Sequence, residues 1–247
     1  MGFENRHLEK LRKIGRKCVL PSDEIKGILE TRLDFAAIKS VADFGAGTLF
    51  WSEWFADKLA AVSQGTQIFM GNESAKSSLN ANERERERER EILPRSVNSL
   101  PNSAQNSQLS LNRGKVFAID SIYEKFTPHT SHANILFETD IFALLARQSV
   151  DAVFMSDVLH HLSGDFEGRL LGAIKGVRSV IIKDIDGAHK FGTFANKMHD
   201  LLINGEKVRP VMPQILADFL TKNGYKVEYF YLPKLWYPHF LLVGQRG

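Results

Sequence analysis

Short apolar runs, each closed by a polar residue, alternate with helix-periodic stretches along most of this chain, and that alternation is the strongest constraint on its fold. SVADF at Ser40–Phe44 leads through a glycine turn into TLFWSEWFADKLAAV. KVFAID (Lys115–Asp120), NILFETD ending at Asp140 and DAVFMSD (Asp151–Asp157) read as further strands, and RSVIIKDID (Arg178–Asp186) follows them. Helical stretches fall between them at Ile141–Arg147 and Asp165–Ile174. Apolar strands joined by helices bury both faces of a parallel sheet, and such sheets bind ligands beyond the carboxyl ends of their strands. The pattern predicts a doubly wound, mostly parallel α/β sheet.

Both ends of the chain extend this reading. Ser22 precedes DEIKGILETRL, in which Ile25, Ile28, Leu29 and Leu33 recur at helical spacing, so residues 1–39 form an N-terminal helical segment with Ser22 as N-cap. The main domain then spans 40–247. Its last third holds a helix at Phe191–Ile203, a second at Pro213–Asn223 closed by Gly224, and two strand-like runs, YKVEYFYL and HFLLVGQ. The loop PKLWYP between those runs is too short for a crossover, which predicts a seven-stranded sheet ending in an antiparallel hairpin.

Residues 64–113 break the pattern. Asn, Ser and Gln fill 19 of these 50 positions, and Glu83–Glu91 reads ERERERERE. In a helix that period-two charge sets opposite signs at i,i+3 against like signs at i,i+4, and in a strand it puts all Glu on one face and all Arg on the other. Neither arrangement buries apolar surface, so the stretch reads as a disordered insertion.

Composition excludes several classes. The longest unbroken apolar run is six residues, Ile141–Ala146, against the roughly 20 that a membrane-spanning helix needs. The first 17 residues carry six Lys or Arg and no apolar core of a secretory leader, so a cytoplasmic location is expected. The basic run fits a solvated helix face better than a nucleic-acid or membrane contact. Cys18 is the single cysteine, a small buried hydrophobe in this reading, and neither a disulfide nor a metal site is expected. A net charge of +3 names no partner, and none of the nucleic-acid type is expected.

The chemistry-bearing segment is VADFGAGTLF, with Asp43 two residues before Gly45 and Gly47 two after it. Gly45 permits a tight turn, and Gly47 lets the backbone approach a ligand while the next helix turns its amides toward an anionic group. The glycines could equally serve the turn alone. A dinucleotide fingerprint would place a third glycine where Phe50 stands, which disfavours a nicotinamide cofactor. An acid that grips a ribose diol belongs at the end of the second strand, roughly 20 residues on. Asp120 lies 77 residues after Asp43, but removing the 50-residue insertion leaves 27.

The D-x-G-x-G pattern of Asp43, Gly45 and Gly47, together with Asp120, Asp140 and the LHHL segment after DAVFMSD, resembles the class I S-adenosylmethionine-dependent methyltransferases. The resemblance implies S-adenosylmethionine as cofactor, with Ser121 beside Asp120 at the ribose, Asp140 and Ile141 at the adenine and Ser156 lining the cleft. It implies for His160 and His161 a packing or capping role ahead of a catalytic one. IKGVRS, before the fifth strand, departs from the glycine-rich turn common among relatives.

Methyl transfer from a sulfonium is an in-line displacement, and a side-chain base is needed only when the nucleophile must lose a proton. KDID at Lys183–Asp186 sets two carboxylates at a strand end, and Asn196, His199 and Asp200 follow at i,i+3 and i,i+4 on one helix face. Asp184 and His199 are the predicted catalytic pair. The cluster can also be a polar helix face with local salt bridges. His239, and the aromatics from Tyr229 to Tyr237, admit both packing and acceptor-facing readings. SDVLH replaces the NPPY-like segment of nucleic-acid amine methylation, so the predicted acceptor is a small molecule or lipid precursor, including O-methylation. The alternative is a cofactor-binding regulatory or partner protein without turnover.

The Glu-Arg tract also bears on the gene. GAG encodes Glu and AGA encodes Arg, so a GA repeat would encode this stretch, slip during replication and switch expression by frameshift, as in host-adapted bacteria. Determining the codons of Glu83–Glu91 tests this: an uninterrupted GA repeat is the expected result, and mixed codons would remove the idea.

Overall fold

The computed structural model describes residues 20–63, 114–189, 208–235 and 237–247. The insertion, the basic N-terminal run, Cys18 and the helix expected at Phe191–Ile203 lie outside the described residues.

Seven strands form one sheet: β1 (Ser40–Phe44), β2 (Lys115–Ile119), β3 (Ile135–Glu138), β4 (Ala152–Ser156), β5 (Ser179–Ile185), β6 (Lys226–Lys234) and β7 (Tyr237–Gln245). Their order is β3-β2-β1-β4-β5-β7-β6, with β1 to β5 parallel and β7 antiparallel to both β5 and β6. This is the predicted doubly wound, mostly parallel sheet with a C-terminal hairpin. The order reverses at β1, which lies between β2 and β4, and that switch opens a crevice at the strands' carboxyl ends.

The period-two alternation of strand side chains sorts the core into two layers. On one face Ala42, Phe117, Val153, Val180 and Leu242 pack against α3 (Ile141–Arg147), α4 (Gly164–Ile174) and α5 (Pro213–Lys222), through Leu144, Leu170, Ile174, Leu216 and Leu220. On the other face Val41, Val116, Phe154, Ile181 and Leu241 meet α1 (Ser22–Arg32) and α2 (residues 50–63), through Ile25, Leu29, Trp51, Phe55 and Leu59. No helix among the described residues is long and apolar enough to cross a membrane.

Two local expectations are corrected. Ser22 is the first helical residue and Pro21 holds the cap position, with no side-chain cap bond. Pro21 instead receives the Ile25 amide on its carbonyl at 3.0 Å. PKLWYP is not a loop throughout, because both strands run through its prolines, pairing Pro233 with Pro238 and Lys234 with Tyr237. Leu235, directly after β6, is left-handed at φ +54°. Proline is tolerated at Pro233 because β6 is an edge strand. The Pro238 carbonyl accepts the Asp186 amide at 2.8 Å. Elsewhere the bounds of β1 and α3 coincide with those read from the sequence.

Phe154 in β4 is fully buried, with its ring 5.1 Å from that of Trp51 and 5.2 Å from that of Phe55. Phe154→Ala empties the junction between β4 and α2. It is expected to cost about 3–5 kcal/mol, read as a lower urea midpoint at unchanged slope.

Candidate functional site

The turn after β1 is held by three constraints. Gly45 has φ +80°, and a Cβ built on it would lie 2.9 Å from Cβ of Val158 after β4, so both conformation and space require glycine. Gly47 has φ +49°. The amides of Gly45 and Ala46 both donate to the Ile119 carbonyl at the end of β2, at 2.8 and 3.1 Å. They tie the turn to the neighbouring strand rather than facing a ligand.

Asp120 closes the same junction. Phe44 pairs with Ile119, so the residue after β2 reaches the β1 turn although it is distant in sequence. Its Oδ2 accepts the Gly47 amide at 3.0 Å, its Oδ1 accepts the Ile122 amide at 3.0 Å, and the Tyr123 hydroxyl donates to the Gly47 carbonyl at 3.0 Å. Each carboxylate oxygen keeps lone-pair capacity for a further donor, and Asp120 is half-buried rather than enclosed.

Asp43 sits beneath the turn at 1% exposure, and its Oδ2 accepts the Ser52 hydroxyl at 2.6 Å. Burial pushes its carboxyl up to about 7; the hydrogen bonds from Ser52 oppose that rise, and the Asp120 charge adds to it. Tyr123 is raised in turn by burial and by the charges of Asp120 and Asp43.

The remaining predicted cofactor residues divide. Ser121 is exposed beside Asp120, and Ser156 ends β4 half-buried, its hydroxyl 3.4 Å from Asp157 Oδ2. Exposed Asp140 caps α3, with Oδ1 accepting from Phe142 and Ala143 at 2.7 and 3.3 Å. Ile141 lies wholly in the core with Leu144. Ile122, two residues after Asp120 and 51% exposed, presents the apolar face that sequence reasoning passed over. Its position two after the strand-end acid was the available signal.

The carboxyl ends of β4 and β5 hold a buried charged cluster. Asp184 is fully buried, since β5 lies between β4 and β7 and is covered on both faces. Its Oδ2 accepts the amides of Leu159 and His160 at 3.1 and 3.3 Å, while its Oδ1 meets His160 Nδ1 at 2.5 Å and the Ile185 amide at 2.7 Å. The His161 ring lies 4.0 Å from that of His160. Arg209 ties the same segment down, its amide donating to the His160 carbonyl at 3.0 Å and its Nε to the Leu162 carbonyl at 2.7 Å. Beside this pair Lys183, 1% exposed, donates to both carboxylate oxygens of Asp157, at 2.5 Å for Oδ1. His239 is buried on β7, opposite Ile185. The predicted His199, with Asn196 and Asp200, lies outside the described residues.

Further along the sheet the Tyr229 hydroxyl donates to Asp186 Oδ2 at 3.4 Å, and burial, then the Asp186 charge, pushes Tyr229 up to about 12. Tyr231 stacks on His189 with ring centroids 5.5 Å apart. Both tyrosines belong to β6 rather than to a loop.

No family model matches the chain, and no curated protein matches it in sequence. Solved structures do. A SAM-dependent methyltransferase from Archaeoglobus fulgidus superposes with TM-score 0.55 at 11% identity, over 96% of this chain and 99% of that one. An O-methyltransferase family protein from Burkholderia thailandensis superposes with TM-score 0.51 at 13% identity, over 90% of this chain and 56% of that one. The chain thus spans little more than half the length of the Burkholderia protein. Its fold is the class I methyltransferase fold.

Asp43 makes stability depend on pH. The folded protein keeps a proton there up to about pH 7, whereas the unfolded chain releases it near the ordinary value of 3.8. Its stabilising contribution is therefore fully present below the unfolded value and is lost as pH rises toward 7, by roughly 1.4 kcal/mol per pH unit. Urea midpoints between pH 4.5 and 7.5 are expected to fall less in Asp43→Asn than in the wild type; equal slopes would refute the assignment.

Proposed function

We propose that this protein binds S-adenosylmethionine at the β1 turn and transfers its methyl to a small-molecule or lipid-precursor acceptor in the cytoplasm, by O-methylation. The observation that carries the reading is the Asp120 carboxylate held against Gly47, which sets a strand-end acid beside a side-chain-free turn at the switch point of the sheet. The donor set fits the cofactor. Asp120 keeps lone pairs for the ribose diol, with Ser121 at its side, and Asp140 retains Oδ2 for the adenine amino group. Ile122, exposed two residues after Asp120, offers the ring an apolar surface. Asp43 supports the turn from below, and Ser156 lines the opposite wall.

When bound, the cofactor supplies a methyl on a positively charged sulfur, open to in-line displacement. The chain's own part is positioning and proton removal. Asp184, with one oxygen 2.5 Å from His160 Nδ1, orients the imidazole at the carboxyl ends of β4 and β5. In this reading His160 accepts the proton of an acceptor hydroxyl, and Asp184 is a positioning residue. His199 is retained as a second catalytic candidate.

The binding-only alternative draws on one specific observation: Asp184 also anchors two backbone amides, and His160 is 6% exposed, as in a purely structural capping unit. Calorimetric titration with S-adenosylmethionine, followed by transfer of labelled methyl into fractionated cell extract, separates the readings. The wild type is expected to bind and to transfer. His160→Gln should retain binding and lower transfer by about 10²–10⁴-fold, with Asp184→Asn intermediate. Absence of binding would sink both readings, and binding without transfer to any fraction would favour the regulatory one.

A further inference from the structure

We infer that the Asp157 carboxylate recognises the positive charge on the donor's sulfur, so that the protein distinguishes the charged donor from its neutral, demethylated product. The inference rests on the cofactor reading above and concerns a residue which that reading does not use.

Asp157 follows β4 directly and stands against the β1 turn, because the side chain of the next residue, Val158, fills the space that a Cβ on Gly45 would need. Its amide donates to the Lys183 carbonyl at 2.9 Å, and its backbone is left-handed at φ +54°, a region that Asp and Asn enter more readily than other side chains do. The side chain is fixed as well, since Lys183 donates to both carboxylate oxygens.

The pair is oriented. The Lys183 side chain is 1% exposed and that of Asp157 32%, so the ammonium lies behind and the carboxylate faces the opening. A lone carboxylate in a half-closed cleft would drift toward its neutral form. Burial acts in that direction on Asp157, but the Lys183 ammonium beside it outweighs that and holds the carboxyl below its ordinary range. Lys183 therefore keeps the acid ionised and immobile, while a ligand in the opening is nearer the anion than the cation. A sulfonium is stabilised there. The thioether left after transfer carries no charge and loses the attraction, which favours exchange of product for fresh donor.

Equilibrium binding of three probes tests this: S-adenosylmethionine, S-adenosylhomocysteine, and sinefungin, which carries an ammonium at the sulfonium position. Asp157→Asn keeps the shape and tolerates the left-handed backbone. The double variant Asp157→Asn with Lys183→Met also avoids leaving a buried ammonium unpaired. In both, the two cationic probes are expected to bind about tenfold more weakly, with S-adenosylhomocysteine changed less than about threefold and serving as the check that the site is folded. A parallel loss for all three probes, or no loss for any, overturns the inference while leaving the cofactor site standing. Failure of the wild type to bind any probe overturns the cofactor reading itself.

Discussion

Two strand ends meet with no room between them, and the candidate site is built on that contact. Val158 occupies the place where a side chain on Gly45 would be, so β1 and β4 deliver their carboxyl ends into a single turn. Asp120 comes in from the other side on β2 and takes the Gly47 amide. A larger residue at Gly45 would push β4 away, and with β4 would go Asp157 and the segment that holds His160. The local conformation of one glycine therefore positions residues from three strands.

Around that turn the fold places charge where water is scarce, and gives each charge a different remedy. Asp43 is nearly enclosed, shares a hydrogen bond with Ser52, and sits close to its neutral form. Asp184 is enclosed completely and is satisfied by three backbone amides and an imidazole. Asp157 is partly open and is held ionised by a buried lysine. Asp43 and Asp157, within the same few strand ends, thus differ in protonation tendency because burial and partner differ.

Much of the fold was legible because the period of the apolar pattern changes cleanly between strand and helix. The bounds of β1 and α3 follow from SVADF and IFALLAR without tertiary information. PKLWYP misled because proline is a breaker in most contexts, whereas the edge position of β6 lets Pro233 stay in the ladder. Ser22 misled because its type favours a cap position that the chain gave to Pro21. KDID reads as two available carboxylates, but β5 is covered on both faces and flanked on both edges, so Asp184 points into a shell of donors. Ile141 follows a strand-end acid and invites a ligand role, yet the first turn of α3 directs it into the core and leaves exposure to Ile122.

By itself the amino-acid sequence determined the alternating elements, the glycine turn and the presence of an acid after the second strand, because these depend on local conformation and on periodicity. Only the tertiary structure decided which polar and charged groups meet: Asp120 with the Gly47 amide, Asp184 with His160, and Asp157 with Lys183. Those partners are far apart along the chain, and which of them stays in water depends on the strand order, on the helices that cover each face, and on the few ångströms between one strand end and the next.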